Sequence, residues 1–122
     1  MSEEFQYLTE DEFEKLLDDE ASMLEADAWE VYDRWSLAQV VRMTYFWRLG
    51  ERQVSKPIWV IARAGQRVVG YDEIEEEYGT GLVRTEGVVE DWGTYGERLR
   101  WTLLHFPDDD GTPRKRDAQP LT

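Results

Sequence analysis

The sequence predicts an α+β fold: two or three N-terminal helices packed on a four- to five-stranded antiparallel meander. Three observations carry this. Apolar residues recur at helical spacing in the first 49 residues, the period changes to two after Pro57, and Gly-centred turn signals then punctuate the chain every few residues. The stretches between those turns are too short for parallel crossovers, so the sheet is expected to be antiparallel. A chain of 122 residues makes one domain, expected at 1–106. The remainder, 107–122, has three prolines and almost no apolar content, and is expected to be a disordered polar tail.

The first helix starts at Thr9, where Thr9 and Glu12 form the S/T-x-x-E pattern of a capping box and Leu8 and Phe13 fit the accompanying hydrophobic staple. Phe13, Leu16, Leu17, Ala21 and Leu24 make one apolar stripe, with acids elsewhere on the cylinder. Residues 26–35 suit either period, since Trp29, Val31 and Trp35 alternate while Ala28, Trp29, Tyr32 and Trp35 also fit a helix; a helix is expected. A second capping pattern at Ser36-Leu37-Ala38-Gln39 opens a run that ends at Gly50, which predicts a largely buried central helix over 37–49. Ile58 to Ala62 and Val68 to Tyr71 then read as strands joined by Gly65-Gln66. A Gly at the first central position permits a type II′ turn, placing Ala62 opposite Val69 and Val60 opposite Tyr71. Turn signals at residues 78–81, 86–87 and 93–96 mark out further strands near 71–78, 82–85, 88–92 and 98–106. The last of these would carry Leu99, Trp101, Leu103 and His105 on one face.

Charge is laid out acid, base, acid. Residues 1–33 hold 13 acids against one Lys, net −12; residues 34–70 hold seven bases against Glu51, net +6. Residues 71–110 are net −9, residues 111–122 are +2, and the whole chain is −13. An acidic N-terminus and the absence of any apolar run near ~20 residues give neither a secretory signal nor a membrane span, so a cytoplasmic protein without a membrane partner is expected.

Residue counts exclude several chemistries. With no Cys there is no disulfide, thiolate nucleophile or thiolate metal site, and a single His, His105, leaves hydrolase triads and His-based zinc sites without players. The acids Asp72, Glu73, Glu75, Glu76 and Glu77 have the hard oxygens that Mg²⁺ and Ca²⁺ prefer. As a strand, however, they would not converge, and a solvated face that discourages edge pairing explains them better. Asp108-Asp109-Asp110-Gly111 lacks the alternation and closing Glu of a calcium loop, and Gly79-Thr80-Gly81 lacks the helix of a phosphate cradle; both read as turns. No metal, cofactor or catalytic residue is therefore expected. Arg42, Tyr45, Phe46, Trp47, Arg48 and Arg52 interleave cations with aromatics as single-strand binders do, but a net charge of −13 repels phosphate. Those arginines are expected to meet the protein's own acids, and no nucleic-acid partner is expected.

What remains is a small non-enzymatic module that binds a basic protein through an anionic face bordered by aromatics, as an inhibitor, an immunity-type protein or a nucleic-acid mimic would. The first helix contributes Glu10, Asp11, Glu14, Asp18, Asp19 and Glu25 to that face, and the hairpin acids contribute Glu73, Glu75 and Glu77. Trp29, Trp35 and Trp92 are the aromatic anchors. One alternative is a small-ligand binder or enzyme with a pocket between the central helix and the sheet, lined by Trp47, Trp59, Tyr71 and Trp101. Another is a self-associating structural subunit, a homodimer included.

Overall fold

A thirteen-residue apolar-rich strand, β2 (Arg52–Ala64), is the spine of the molecule, and it is buried on both faces. The computed structural model describes residues 6–106; the expected tail at 107–122 lies outside them. Around β2 are β1 (Ser36–Leu49), β3 (Arg67–Asp72), β4 (Glu77–Thr85) and β5 (Val88–Gly96), preceded by α1 (Glu10–Ala21) and α2 (Ala26–Trp35) and followed by α3 (Leu99–Leu104). The protein is thus α+β with a mostly antiparallel sheet, its strands joined in meander order. That sheet closes into a barrel, β1-β2-β3-β4-β5. Five alternating strands leave the first and last running the same way, so the closing β1/β5 pair is parallel, through Thr44↔Val88, Tyr45↔Val89 and a 2.9 Å bond from the Thr44 amide to the Gly87 carbonyl.

Alternation along β2 sorts residues into two cores. Ile58 and Val60 point into the barrel with Met43, Val68, Val83 and Val89, while Trp59 and Ile61 point out and are covered by Phe13, Leu17, Val31, Leu99 and Leu103 of the helices. This double burial accounts for the unbroken apolar run that strands with one wet face do not show. A register shift at Ile61 keeps Ala62 opposite Val69, as expected, but pairs Tyr71 with Trp59 and leaves Val60 opposite Gly70. Trp59 and Tyr71 therefore stand side by side on the outer wall. Phe13 stacks on both, at ring-centroid distances of 4.9 and 5.5 Å.

The α1 start is as expected: Thr9 Oγ1 accepts from the Glu12 amide at 3.1 Å and the Glu12 carboxylate accepts from the Thr9 amide at 2.9 Å. Residues 26–35 are helical. Four other expectations are corrected. Residues 37–49 form β1, not a central helix. The run is rich in β-branched and aromatic side chains, Gly50 (φ +67°) opens a two-residue hairpin turn with Glu51, and of the residues expected to be largely buried only Val40 and Met43 are. Residues 98–106 are not a strand, because Leu99, Thr102, Leu103 and Phe106 also fit i, i+3, i+4, i+7. As α3 they bury that set and leave Trp101 half exposed. The expected strand at 71–78 is broken by a turn at 73–76, tightened by the Asp72 carboxylate, which accepts from the Ile74 and Glu75 amides at 3.0 and 3.2 Å. Finally, Gly79-Thr80-Gly81 and residues 93–96 lie within β4 and β5 rather than in turns.

The glycines of β3 and β4 permit close approach: Gly79 and Gly81, expected in a turn, and Gly70, expected in a strand. Gly70, Gly79 and Gly81 share the inward side of β3 and β4. A Cβ at Gly70 would lie 3.2 Å from the Trp92 ring, one at Gly81 3.4 Å from it, and one at Gly79 only 2.2 Å from the Gly93 carbonyl oxygen.

Candidate functional site

The predicted site residues fall in three places. The acids of α1 and α2 form the first. Asp11, Asp18, Asp19 and Glu25 are exposed, Glu14 is half-buried, and Glu10 is exposed with its carboxylate accepting from the Gln39 amide nitrogen at 2.8 Å. Glu25 and Asp27 meet Arg100 at 3.3 and 3.6 Å, and Glu20 meets Arg98 at 3.2 Å. Asp11, Glu14, Asp18, Asp19, Glu30 and Asp33 form no ion pair among the described residues. Trp29 stands 46% exposed on α2, 5.6 Å from the Tyr32 ring. Trp35 is half-buried and packs edge-on against Phe106 at 6.4 Å, with the Arg34 guanidinium over its ring.

Glu73 is elsewhere and buried. Its carboxylate accepts from the Leu8 amide (2.6 Å), the Trp59 indole N–H (2.9 Å) and Arg42 (3.0 Å), and the Arg42 guanidinium lies 4.2 Å over the Trp59 ring. This clasp ties the segment before α1 to the barrel wall. Glu73 is therefore separated from Glu75 and Glu77, and the expected shared strand face of the three does not exist: Glu75 lies in the turn and Glu77 opens β4.

Glu75, Glu77 and Trp92 come together at the barrel mouth, a cavity of about 440 Å³. Tyr45 and Trp47 stack at 5.4 Å on one side of it, and Lys56 sits over both rings while pairing with the buried Asp72 carboxylate. The Trp92 indole N–H is buried there with no partner among the described residues. Trp47 lines this mouth, Trp59 and Tyr71 lie under α1, and Trp101 stands on α3, so the single aromatic pocket expected of those four residues is not formed.

A second cavity, of about 250 Å³, opens between α1, the 73–76 turn and the residues leading into α3. Tyr71 and Tyr78, paired across β3 and β4 with ring centroids 4.7 Å apart, form its floor. Glu20, Glu76, Glu97 and Arg98 line its sides. Glu20 is satisfied, accepting from the Leu99 amide at 3.0 Å and from Arg98. The Tyr78 hydroxyl is not: the residue is 1% exposed and its oxygen has no hydrogen-bond partner among the described residues. Burial, then the charges of Glu76, Glu73, Asp72 and Glu20, push the Tyr71 hydroxyl up to about 12. Burial, with Glu20 next, raises that of Tyr78 as well. Sequence reading missed this pair because Tyr78-Gly79 read as a turn. Centring the hairpin on residues 73–76 would have set the two tyrosines opposite each other.

His105 caps α3, its Nδ1–H donating to the Trp101 carbonyl at 2.7 Å and its ring stacked on Tyr95. No group of three or more His, Asp or Glu side chains among the described residues is arranged to hold a metal ion. No helix among them is long and apolar enough to cross a membrane. Comparison of the chain with protein families, curated proteins and solved structures returned no match.

Proposed function

We propose that this protein works by binding rather than catalysis, recognising a basic protein through the acidic surface of α1 and α2. One observation carries the reading: the two acidic blocks of the chain are treated differently by the fold. Of the nine described acids after residue 71, five are ion-paired: Glu73 to Arg42, Asp72 to Lys56 and Glu86 to Arg63 of the basic strands, and Glu90 and Asp91 to Arg84. Arg63 holds the Glu86 carboxyl below its usual range. Three bases of the chain's middle thus serve the barrel, whereas only three of the eleven acids between residues 10 and 33, Glu20, Glu25 and Asp27, are ion-paired among the described residues. A surface with this excess of acids over Lys15 and Arg34 raises the rate of encounter with a positively charged partner and loses its reach as salt shortens the screening length from about 10 Å at 0.1 M. Trp29, half exposed between Glu25 and Glu30, supplies an aromatic anchor within that field. Inhibitors, immunity-type proteins and nucleic-acid mimics all work in this way.

The test is affinity capture with mass spectrometry, from the protein's own cells and from competing cells, beside a variant carrying Asp11→Asn, Glu14→Gln, Asp18→Asn and Asp19→Asn. A basic protein should be retained by the wild type at low salt, be released as salt rises, and be lost from the variant. Identical captures by both proteins, or no basic protein at all, refute the reading. The barrel mouth favours a second one, a planar small ligand stacked on Trp47 and Trp92. Saturable quenching of indole fluorescence that disappears in Trp92→Leu is its signature.

A further inference from the structure

The cavity above Tyr71 and Tyr78 holds a polar group that no described residue satisfies. Its floor carries a fully buried hydroxyl, that of Tyr78, without a partner among the described residues, and leaving such a group unpaired is costly. Its charged lining is lopsided. Arg98 and Glu20 pair with each other, whereas Glu76 and Glu97 form no ion pair among the described residues. Glu76 is moreover held at φ +59°, a left-handed conformation disfavoured for a residue with a Cβ, which places its carboxylate at this rim. Beside the Arg98–Glu20 pair, the polar lining is therefore oxygen: the carboxylates of Glu76 and Glu97, without an ion pair among the described residues, and the tyrosine oxygens.

We infer that this cavity takes the cationic head of a basic residue, a guanidinium or primary ammonium, which donates to the Tyr78 oxygen at the floor and is neutralised by Glu76 and Glu97 at the rim. Size agrees: about 250 Å³ is below the ~300–1,000 Å³ of pockets for drug-sized ligands, and suits one side-chain head. The field agrees as well: of the carboxylates that oppose ionisation of Tyr71, Glu76 and Glu20 line the cavity, and the same charges favour a cation there. A metal ion fits less well, because no convergent set of three carboxylate or imidazole ligands exists among the described residues. On α1, Glu12 and Asp19 lie four residues before and three after the cavity-lining Leu16, so the cavity opens on the flank of the acidic helix. That the cation belongs to a partner protein rests on the binding role proposed above; the preference of the cavity for a cation does not.

The experiment is a titration followed by amide chemical shifts of Tyr71, Tyr78 and Leu99, with three probes: N-acetyl-arginine amide, its uncharged citrulline analogue, and putrescine. The arginine amide should give saturable shifts at all three positions, and the citrulline analogue should bind about tenfold more weakly, the worth of a hydrogen bond to a charged group. Tyr78→Phe should weaken the arginine amide about tenfold while unfolding no more readily than wild type, because it removes a buried hydroxyl that no described residue satisfies. Glu97→Gln, at the exposed rim, should weaken it about threefold with the fold untouched. Equal binding of the charged and uncharged probes, absence of saturable shifts, or full affinity in Tyr78→Phe overturns the inference. Putrescine binding tighter than the arginine amide keeps the cation site but assigns it to a free amine. If basic proteins are captured as proposed above while the arginine amide fails, the helix surface stands and the cavity falls.

Discussion

Removing the Glu73 carboxylate tests whether that residue belongs to the fold or to a recognition surface. In Glu73→Ala three donors lose their acceptor: the Leu8 amide at 2.6 Å, the buried Trp59 indole N–H at 2.9 Å and Arg42 at 3.0 Å. The side chain of Arg42 is 38% exposed and can turn to water, so its loss counts for little. The Trp59 and Leu8 donors are buried and part-buried, and each stranded group costs about 1–3 kcal/mol. Together they set the loss at about 2–6 kcal/mol, a large share of the ~5–15 kcal/mol that holds a domain folded. With a urea m-value of about 2 kcal/mol/M for a small domain, the midpoint should fall by about 1–3 M. Intrinsic fluorescence reports the transition directly, since Trp59 sits inside the clasp. Glu73→Gln should lie between the two, because one amide oxygen still serves Trp59 and Arg42 while the amide N–H₂ now opposes the Leu8 N–H. A Glu73→Ala protein within about 0.5 kcal/mol of wild type, the range of ordinary surface changes, would refute the clasp and return Glu73 to the surface available for a partner.

Two further outcomes follow from the same geometry. Gly79→Ala would put a Cβ 2.2 Å from the Gly93 carbonyl oxygen across the β4/β5 pair, where neither backbone can yield, and should cost about 1–3 kcal/mol or more in a urea titration; Gly93→Ala meets open space and should stay within about 0.5 kcal/mol. Tyr71 should ionise at about 12 by ultraviolet absorbance, against about 10 in the unfolded chain. The fold therefore favours its protonated form, so this contribution to stability is complete below about pH 10 and disappears as the pH climbs through about 12, read as a falling urea midpoint over that window.

Features that depend on a few adjacent residues were legible from the chain. The Thr9–Glu12 box is a contact within one turn of helix, and Gly65-Gln66 needs only a positive φ at its first residue, which Gly65 adopts at +63°. Gly50 carries the same signal, but a Gly after an apolar run ends a helix as readily as it opens a hairpin. β1 was misassigned because its companion strand lies on the far side of that glycine. α3 was missed for a related reason: its six residues satisfy both periods, and the packing of Leu99 and Leu103 against the other helices selects one.

Local pattern thus sufficed for the α+β class, the strand-rich second half and the acid, base, acid order of charge. Closure of the barrel, the burial of Glu73 and the meeting of Tyr78 with Glu20 and Glu97 depended on which distant segments came together. Strand register carries no mark in any single stretch of chain: one extra residue at Ile61 moved Trp59 beside Tyr71 and so made room for Phe13. The same holds for charge. Composition set how many carboxylates the molecule carries, but the fold determined that Arg42, Lys56 and Arg63 of β1 and β2 meet Glu73, Asp72 and Glu86, while most acids of the helices stay without an ion pair among the described residues.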